Sequence, residues 1–165
     1  MAQMNRRRFV IGAGATLGAG LCGCAGGGGG GGGGAQNSST EWKGATAYDL
    51  GPADGIRAGV DGRWARSGGF FVVREGNRVY VVSAVCSHRA CDLEGKGAEY
   101  VCECHGSRFS ARGQVLSGPA VQPLVRFGVS RDAAGRLAVD RTKVYEESRW
   151  GEAGAWAEVG TMQGE

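Results

Sequence analysis

The stretch Gly69-Phe70-Phe71-Val72-Val73-Arg74-Glu75-Gly76-Asn77-Arg78-Val79-Tyr80-Val81-Val82-Ser83 decides the fold class. Two runs rich in β-branched and aromatic residues flank a Gly76-Asn77 turn, which is the composition of a β-hairpin. Both runs are so apolar that the two strands are expected to be mostly buried. A second hairpin is predicted for Leu124 to Ser130 and Arg136 to Asp140, joined through Arg131-Asp132-Ala133-Ala134-Gly135. No helical period persists over the length that a stable helix needs. The expectation is an all-β chain, a small antiparallel β sandwich or barrel over residues 41–140, with its chemistry on loops at one end.

The residues before this domain are of two kinds. Arg6-Arg7-Arg8-Phe9-Val10 and an apolar, Gly/Ala-rich stretch to Leu21 have the layout of an export signal over residues 1–24, too short to span a bilayer comfortably. Arg-Arg-x-Phe ahead of a weakly hydrophobic segment resembles a twin-arginine signal, the route of proteins that cross a membrane already folded. Leu21-Cys22-Gly23-Cys24 resembles a bacterial lipobox, with Cys24 as the cysteine that is lipidated and anchors the chain at the membrane surface. The rival reading is an ordinary secretory signal and a soluble product. Residues 25–40, with nine consecutive glycines from Gly26 to Gly34, cannot bury apolar area and read as a flexible tether. A phosphate-cradling glycine loop would need a preceding buried strand and a following helix, and the sequence offers neither.

Charge excludes one class of partner. The chain has 19 Lys and Arg against 16 Asp and Glu, and Arg6, Arg7 and Arg8 are the only charges before Cys24, so 16 of each sign remain beyond it. A near-neutral domain has no basic face with which to hold nucleic acid.

Of six cysteines and two histidines, four cysteines and both histidines fall within residues 86–105. The window opens with Cys86-Ser87-His88-Arg89-Ala90-Cys91 and closes with Cys102-Glu103-Cys104-His105-Gly106-Ser107-Arg108-Phe109. As ligands these are Cys-x-His followed by Cys-x-x-His, two loops that each offer one thiolate and one imidazole. The pattern resembles the Rieske iron-sulfur family, and the resemblance covers roughly Glu41 to Asp140. It implies one [2Fe-2S] cluster, with Cys86 and Cys102 on the inner iron and His88 and His105 on the outer, more exposed one. It further implies a cluster-binding subdomain of two loops, tied by a Cys91–Cys104 disulfide of the kind found in the respiratory branch. An exported protein meets the oxidising environment that such a bond requires. Ser117-Gly118-Pro119-Ala120 and Pro123-Leu124 resemble the family's proline loop, which covers a third side of the cluster.

Replacing two thiolates by neutral imidazoles removes negative charge, so the cluster accepts an electron more readily. Potentials of such centres run roughly from −150 to +300 mV, against about −400 mV for plant-type four-cysteine clusters. Reduction should also raise the pKa of the imidazoles and couple the electron to a proton. Ser107, beside Gly106, matches the family serine that donates to a bridging sulfide. Phe109 stands where high-potential members carry a tyrosine that donates to a ligand cysteine, which predicts an intermediate potential. Glu103 replaces the usual proline and brings a carboxylate that disfavours the reduced state. Arg89 replaces the apolar residue usual in quinol-oxidising members, and 13 residues separate His88 from Cys102.

A structural zinc site also uses two cysteines and two histidines, but leaves the second cysteine pair, Gly106-Ser107 and the proline loop without a role. Cysteine-protease chemistry needs a single activated thiolate and an oriented base. A Rieske oxygenase catalytic subunit needs two further histidines, and none is left over. The resemblance therefore implies a membrane-associated exported carrier of one electron at a time, on the periplasmic side of a bacterial membrane, with substrate chemistry left to partners. Those partners are a cytochrome, a cytochrome b-type complex that also presents quinol, or the large subunit of a molybdenum oxidase such as arsenite oxidase. A free carrier or an oxidase subunit ranks ahead of a quinol:cytochrome c oxidoreductase subunit. The C-terminal extension, residues 141–165 with Trp150 and Trp156, either packs across the domain or reaches a partner.

Overall fold

The computed structural model describes residues 46–160; the signal, Cys24 and the whole glycine-rich tether fall outside them. The described chain is built from β-strands and a few single turns of helix. In order they are β1 (Ala47–Pro52), β2 (Gly59–Asp61), α1 (Ala65–Gly68), β3 (Phe70–Glu75) and β4 (Arg78–Ser83). Four three-residue strands follow, β5 (Glu94–Lys96), β6 (Glu99–Val101), β7 (Arg108–Ser110) and β8 (Val115–Ser117). The chain closes with β9 (Arg126–Arg131), β10 (Arg136–Tyr145) and β11 (Ala157–Glu158). All strand pairs are antiparallel and form two sheets, β1-β10-β9-β4-β3-β2 with β11 added on β4, and β5-β6-β7-β8. Among the described residues no helix is long and apolar enough to cross a membrane.

The hairpin of β3 and β4 explains why the fold has two cores. Its residues alternate between the two faces of the sheet, and both faces are apolar. Phe70, Val72, Val79 and Val81 join a core with Leu50, Ile56, Val129, Leu137 and Val139. Phe71, Val73, Tyr80 and Val82 join a second core with Leu93, Tyr100, Phe109, Leu124 and the cysteines Cys86, Cys91 and Cys102. The ring of Phe71 stacks on that of Tyr100 at 4.5 Å, fastening the small sheet to the large one. Because β4 and β9 are neighbours in the large sheet, with Val81 opposite Phe127, residues 84–125 form one excursion that carries both Cys/His loops.

Two further features hold the large sheet. Arg74, on β3, is 3% exposed, and its guanidinium donates to the carbonyls of Ile56 at 2.9 Å and Gly160 at 3.0 Å, so its buried charge is satisfied by backbone oxygens. The segment after Asp140 is part of the sheet. β10 runs on to Tyr145 after a register shift between Asp140 and Val144, and Ala157 and Glu158 pair with Val79 and Arg78.

Candidate metal centre

Each cysteine-histidine segment is the end of a hairpin, and the two have the same backbone wiring. In the first, an isolated bridge between Val85 and Asp92 closes the base. The Cys86 N–H then donates to the Cys91 carbonyl at 2.8 Å and the Ala90 N–H to the Cys86 carbonyl at 2.9 Å. In the second, Val101 pairs with Arg108. The Cys102 N–H donates to the Ser107 carbonyl at 2.8 Å and the Gly106 N–H to the Cys102 carbonyl at 2.9 Å. Such a loop has to reverse direction through a left-handed residue, and Ala90 at φ 52° and Gly106 at φ 77° supply it.

This wiring sends the cysteines inward and the histidines outward. Cys86 and Cys102 are 2% and 0% exposed and are the free cysteines of the described residues. His105 is exposed and His88 half-buried, and their rings meet edge to face with centroids 4.9 Å apart. The Nδ1 of His88 is buried without a hydrogen-bond partner among the described residues. Burial pushes the Cys102 thiol pKa up, as does the adjacent Cys86 thiol, while the backbone N–H groups of Cys104 and His105 act in the opposite direction. Two sulfurs packed together away from water, with amides aimed at one of them, suit thiolates that share a cationic centre. An orphaned imidazole nitrogen on the same loop as Cys86 suits a ligand role, so the donor set fits a [2Fe-2S] cluster.

The surroundings brace that arrangement. Cys91 and Cys104 form a disulfide, with Cα atoms 6.6 Å apart, that ties one loop to the other. The Cys102 sulfur lies within 4.8 Å of both of its sulfurs. Ser107 is fully buried, and its Oγ accepts from the Ala120 N–H at 3.2 Å, which leaves the hydroxyl proton free to donate. Gly118, at φ 91°, lies so close that a Cβ there would sit 2.6 Å from the Cα of Ser107. The segment holding exposed Pro119 is thus clamped onto the second loop. Phe109 is fully buried in the same core as Cys86 and Cys102.

Two contacts were not legible in the sequence. The Ser87 Oγ donates to the Gln122 carbonyl at 2.5 Å, fastening the first loop to the proline segment. Its only sequence signal was a small hydroxyl residue between two ligand candidates. Glu103, whose carboxylate was expected to disfavour the reduced state, is paired with Lys96 Nζ at 2.5 Å, a contact between two exposed side chains.

Comparison with known proteins bears on the family of the described domain. The family model described as Rieske [2Fe-2S] domain matches residues 46–129. The Rieske 2Fe-2S iron-sulfur protein named YhfW of Bacillus subtilis (strain 168) is 37% identical over 78 residues, which are 46% of this chain and 14% of that protein. The cytochrome b6-f complex iron-sulfur subunit of Chlorobaculum thiosulfatiphilum is 38% identical over 58 residues, 34% of this chain and 32% of that one. The chain thus spans less than half the length of these curated relatives. The plasma membrane Rieske protein PetC3 from Synechocystis PCC 6803 shares 24% identity and a TM-score of 0.41, covering 56% of this chain and 97% of that one.

Proposed function

This chain belongs to the Rieske [2Fe-2S] domain family, and from that premise we propose that it carries one electron at a time between redox partners at the outer face of a bacterial cell membrane. The observation that carries this reading is the polarity of the site, with Cys86 and Cys102 buried and His88 and His105 meeting at the outer edge. When bound, the [2Fe-2S] cluster supplies a one-electron carrier of raised potential.

The chain's own residues do the rest. Cys86 and Cys102 would hold the inner iron, and the amides of Cys104 and His105 offset the negative charge on the Cys102 sulfur. His88 and His105 would hold the outer iron, with exposed His105 offering the edge where a partner approaches. The disulfide and the clamp of Gly118 on Ser107 keep the loops from parting and keep water from the buried side.

Relatives named as cytochrome b6-f subunits support a cytochrome b-type partner. Arg89 beside His88 and the absence of a hydroxyl at Phe109 favour a free carrier or a molybdenum-oxidase subunit. The basic start of the chain, Cys24 and the glycine tract support export and a lipid-anchored, tethered domain.

Electron paramagnetic resonance of the full chain, first with ascorbate and then with dithionite, tests the reading. A Rieske signal with ascorbate is expected for a quinol- or oxidase-linked carrier, and one that needs dithionite points to a low-potential carrier. Replacing His88 or His105 by alanine should abolish either signal. Zinc bound in place of iron in the native protein would sink the proposal.

A further inference from the structure

Away from the cysteine loops, a cavity of about 430 Å³ opens where the large sheet, the turn between β7 and β8 and the C-terminal segment meet. Arg126, on β9, is one of its walls and is only 7% exposed. Its guanidinium carbon lies 3.9 Å from the ring centroid of Tyr80 and 4.2 Å from that of Trp150. Its hydrogen bond goes from Nη2 to the Arg112 carbonyl at 3.2 Å, and its Nε has no partner among the described residues. A second buried donor, Trp150 Nε1, is equally unpartnered. The Tyr80 hydroxyl is a third, lying beside Glu75 without a hydrogen bond of good geometry.

The charges around the cavity do not cancel. Arg78, Arg112 and Arg126 line it against the single carboxylate of Glu75, and that carboxylate is already engaged by Arg112 at 3.0 Å. Arg78 is held in place by stacking 4.1 Å from the Trp156 ring. The nearest carboxylate to Arg126, that of Glu75, is thus shared with Arg112; a buried guanidinium that is only partly compensated is costly, and buried donors without acceptors are costly in the same sense. The two rings packed against Arg126 restrict its guanidinium and shield it from water, which is how a planar fork is pre-organised for an oxygen ligand. The volume lies within the range of small-molecule sites.

We propose that this cavity is a binding site for a small oxyanion of about two negative charges, a phosphate or a dicarboxylate, received by Arg126 and Arg78 between Trp150 and Trp156. Such a ligand would neutralise the excess cation and bridge both sheets and the C-terminal segment, independently of the metal centre.

The test is calorimetric and tryptophan-fluorescence titration of the full chain with inorganic phosphate and, separately, succinate, at ionic strength held constant with sodium chloride. Saturable one-to-one binding of at least one anion is expected, and which one binds gives the chemical class. Arg126→Gln should weaken it roughly tenfold or more, the effect of losing a charge-assisted contact. Arg78→Gln, at an exposed position, should weaken it several-fold and decides the matter if the buried substitution fails to fold. Arg131→Gln, outside the cavity, should leave it unchanged. The proposal is overturned if neither anion saturates, or if Arg78→Gln and every folded Arg126→Gln sample bind as the parent does.

Discussion

Ala90 and Gly106 occupy the same place in the two cysteine-histidine loops, and both have positive φ, 52° and 77°. For alanine a left-handed backbone costs roughly 1 kcal/mol that glycine escapes. Relief of that strain is partly offset by the roughly 0.4 to 1 kcal/mol of freedom that glycine adds to the unfolded chain, so Ala90→Gly is expected to raise the free energy of unfolding by a few tenths of a kcal/mol in a urea titration. A lowered midpoint would mean that the freedom gained by the unfolded chain outweighs the relieved strain. Phe109 poses an electronic rather than a conformational question. Its ring is fully buried with Cys86 and Cys102, so a hydroxyl placed there is shielded from water within the core that holds both cysteines. One hydrogen bond worth about 1 to 1.5 kcal/mol more to the reduced than to the oxidised state corresponds to roughly 40 to 60 mV for one electron. Phe109→Tyr should raise the potential by that amount in a redox titration followed by electron paramagnetic resonance, and a potential that stays or falls removes hydrogen bonding as its control. At this scale the reactive residues were legible because cysteine and histidine are rare in the chain and crowded into one window. Lys96 was not, since a surface lysine carries no sign of which carboxylate it will meet, and neither was Arg126, although a charge inside the otherwise apolar run Leu124 to Val129 was a clue to a buried cation.

The hairpin of β3 and β4 is a partition rather than a wall, because its alternate residues belong to different cores. Val81 and Val82 are neighbours, both fully buried, and differ only in the side to which they point. Replacing either by alanine removes about two methylene equivalents and leaves a cavity, an expected loss of about 1.5 to 3 kcal/mol. The two losses should be similar in a denaturant titration, yet only Val82→Ala disturbs the core that contains Cys86 and Cys102. Its expected mark is a shifted potential or a broadened resonance that Val81→Ala lacks; equal spectra would mean that the site is insulated from its own core. These strands were readable because long apolar runs declare burial on both faces. By contrast β5, β6, β7 and β8 have three residues each, too few to establish a period of two. They are held by their pairing, by Tyr100 against Phe71 and by the disulfide. The end of β10 was hidden for another reason: the register shift after Asp140 breaks the alternation by which a strand is recognised.

The chain closes on itself through its last described segment. The Gly154 carbonyl accepts from the Val129 N–H at 2.8 Å, the Val159 N–H donates to the Asn77 carbonyl at 2.7 Å, and the Gly160 carbonyl accepts from Arg74 at 3.0 Å. Ala155, Ala157 and Val159 are buried, and β11 extends the sheet on β4. Sequence alone left this segment free either to pack or to reach outward, because two isolated tryptophans and scattered charges have no period. Its packing makes the segment part of the scaffold that supports the hairpin between the two cores. Ending the chain at Tyr145 would uncover Val79, strip one acceptor from buried Arg74 and leave the Val129 N–H unpaired. With about 1 to 3 kcal/mol for each orphaned buried donor and roughly 1.5 kcal/mol or more for a valine-sized side chain returned to water, the shortened chain should lose at least about 3.5 kcal/mol. That is a large share of the 5 to 15 kcal/mol typical of a domain. Urea unfolding of the full and shortened chains measures it. A shortened chain that is largely unfolded, or retains its cluster only at low temperature, is the expected result. One with an unchanged midpoint would make residues 146–165 a detachable appendage whose contacts contribute no stability, returning the two tryptophans to the role of a partner-binding arm.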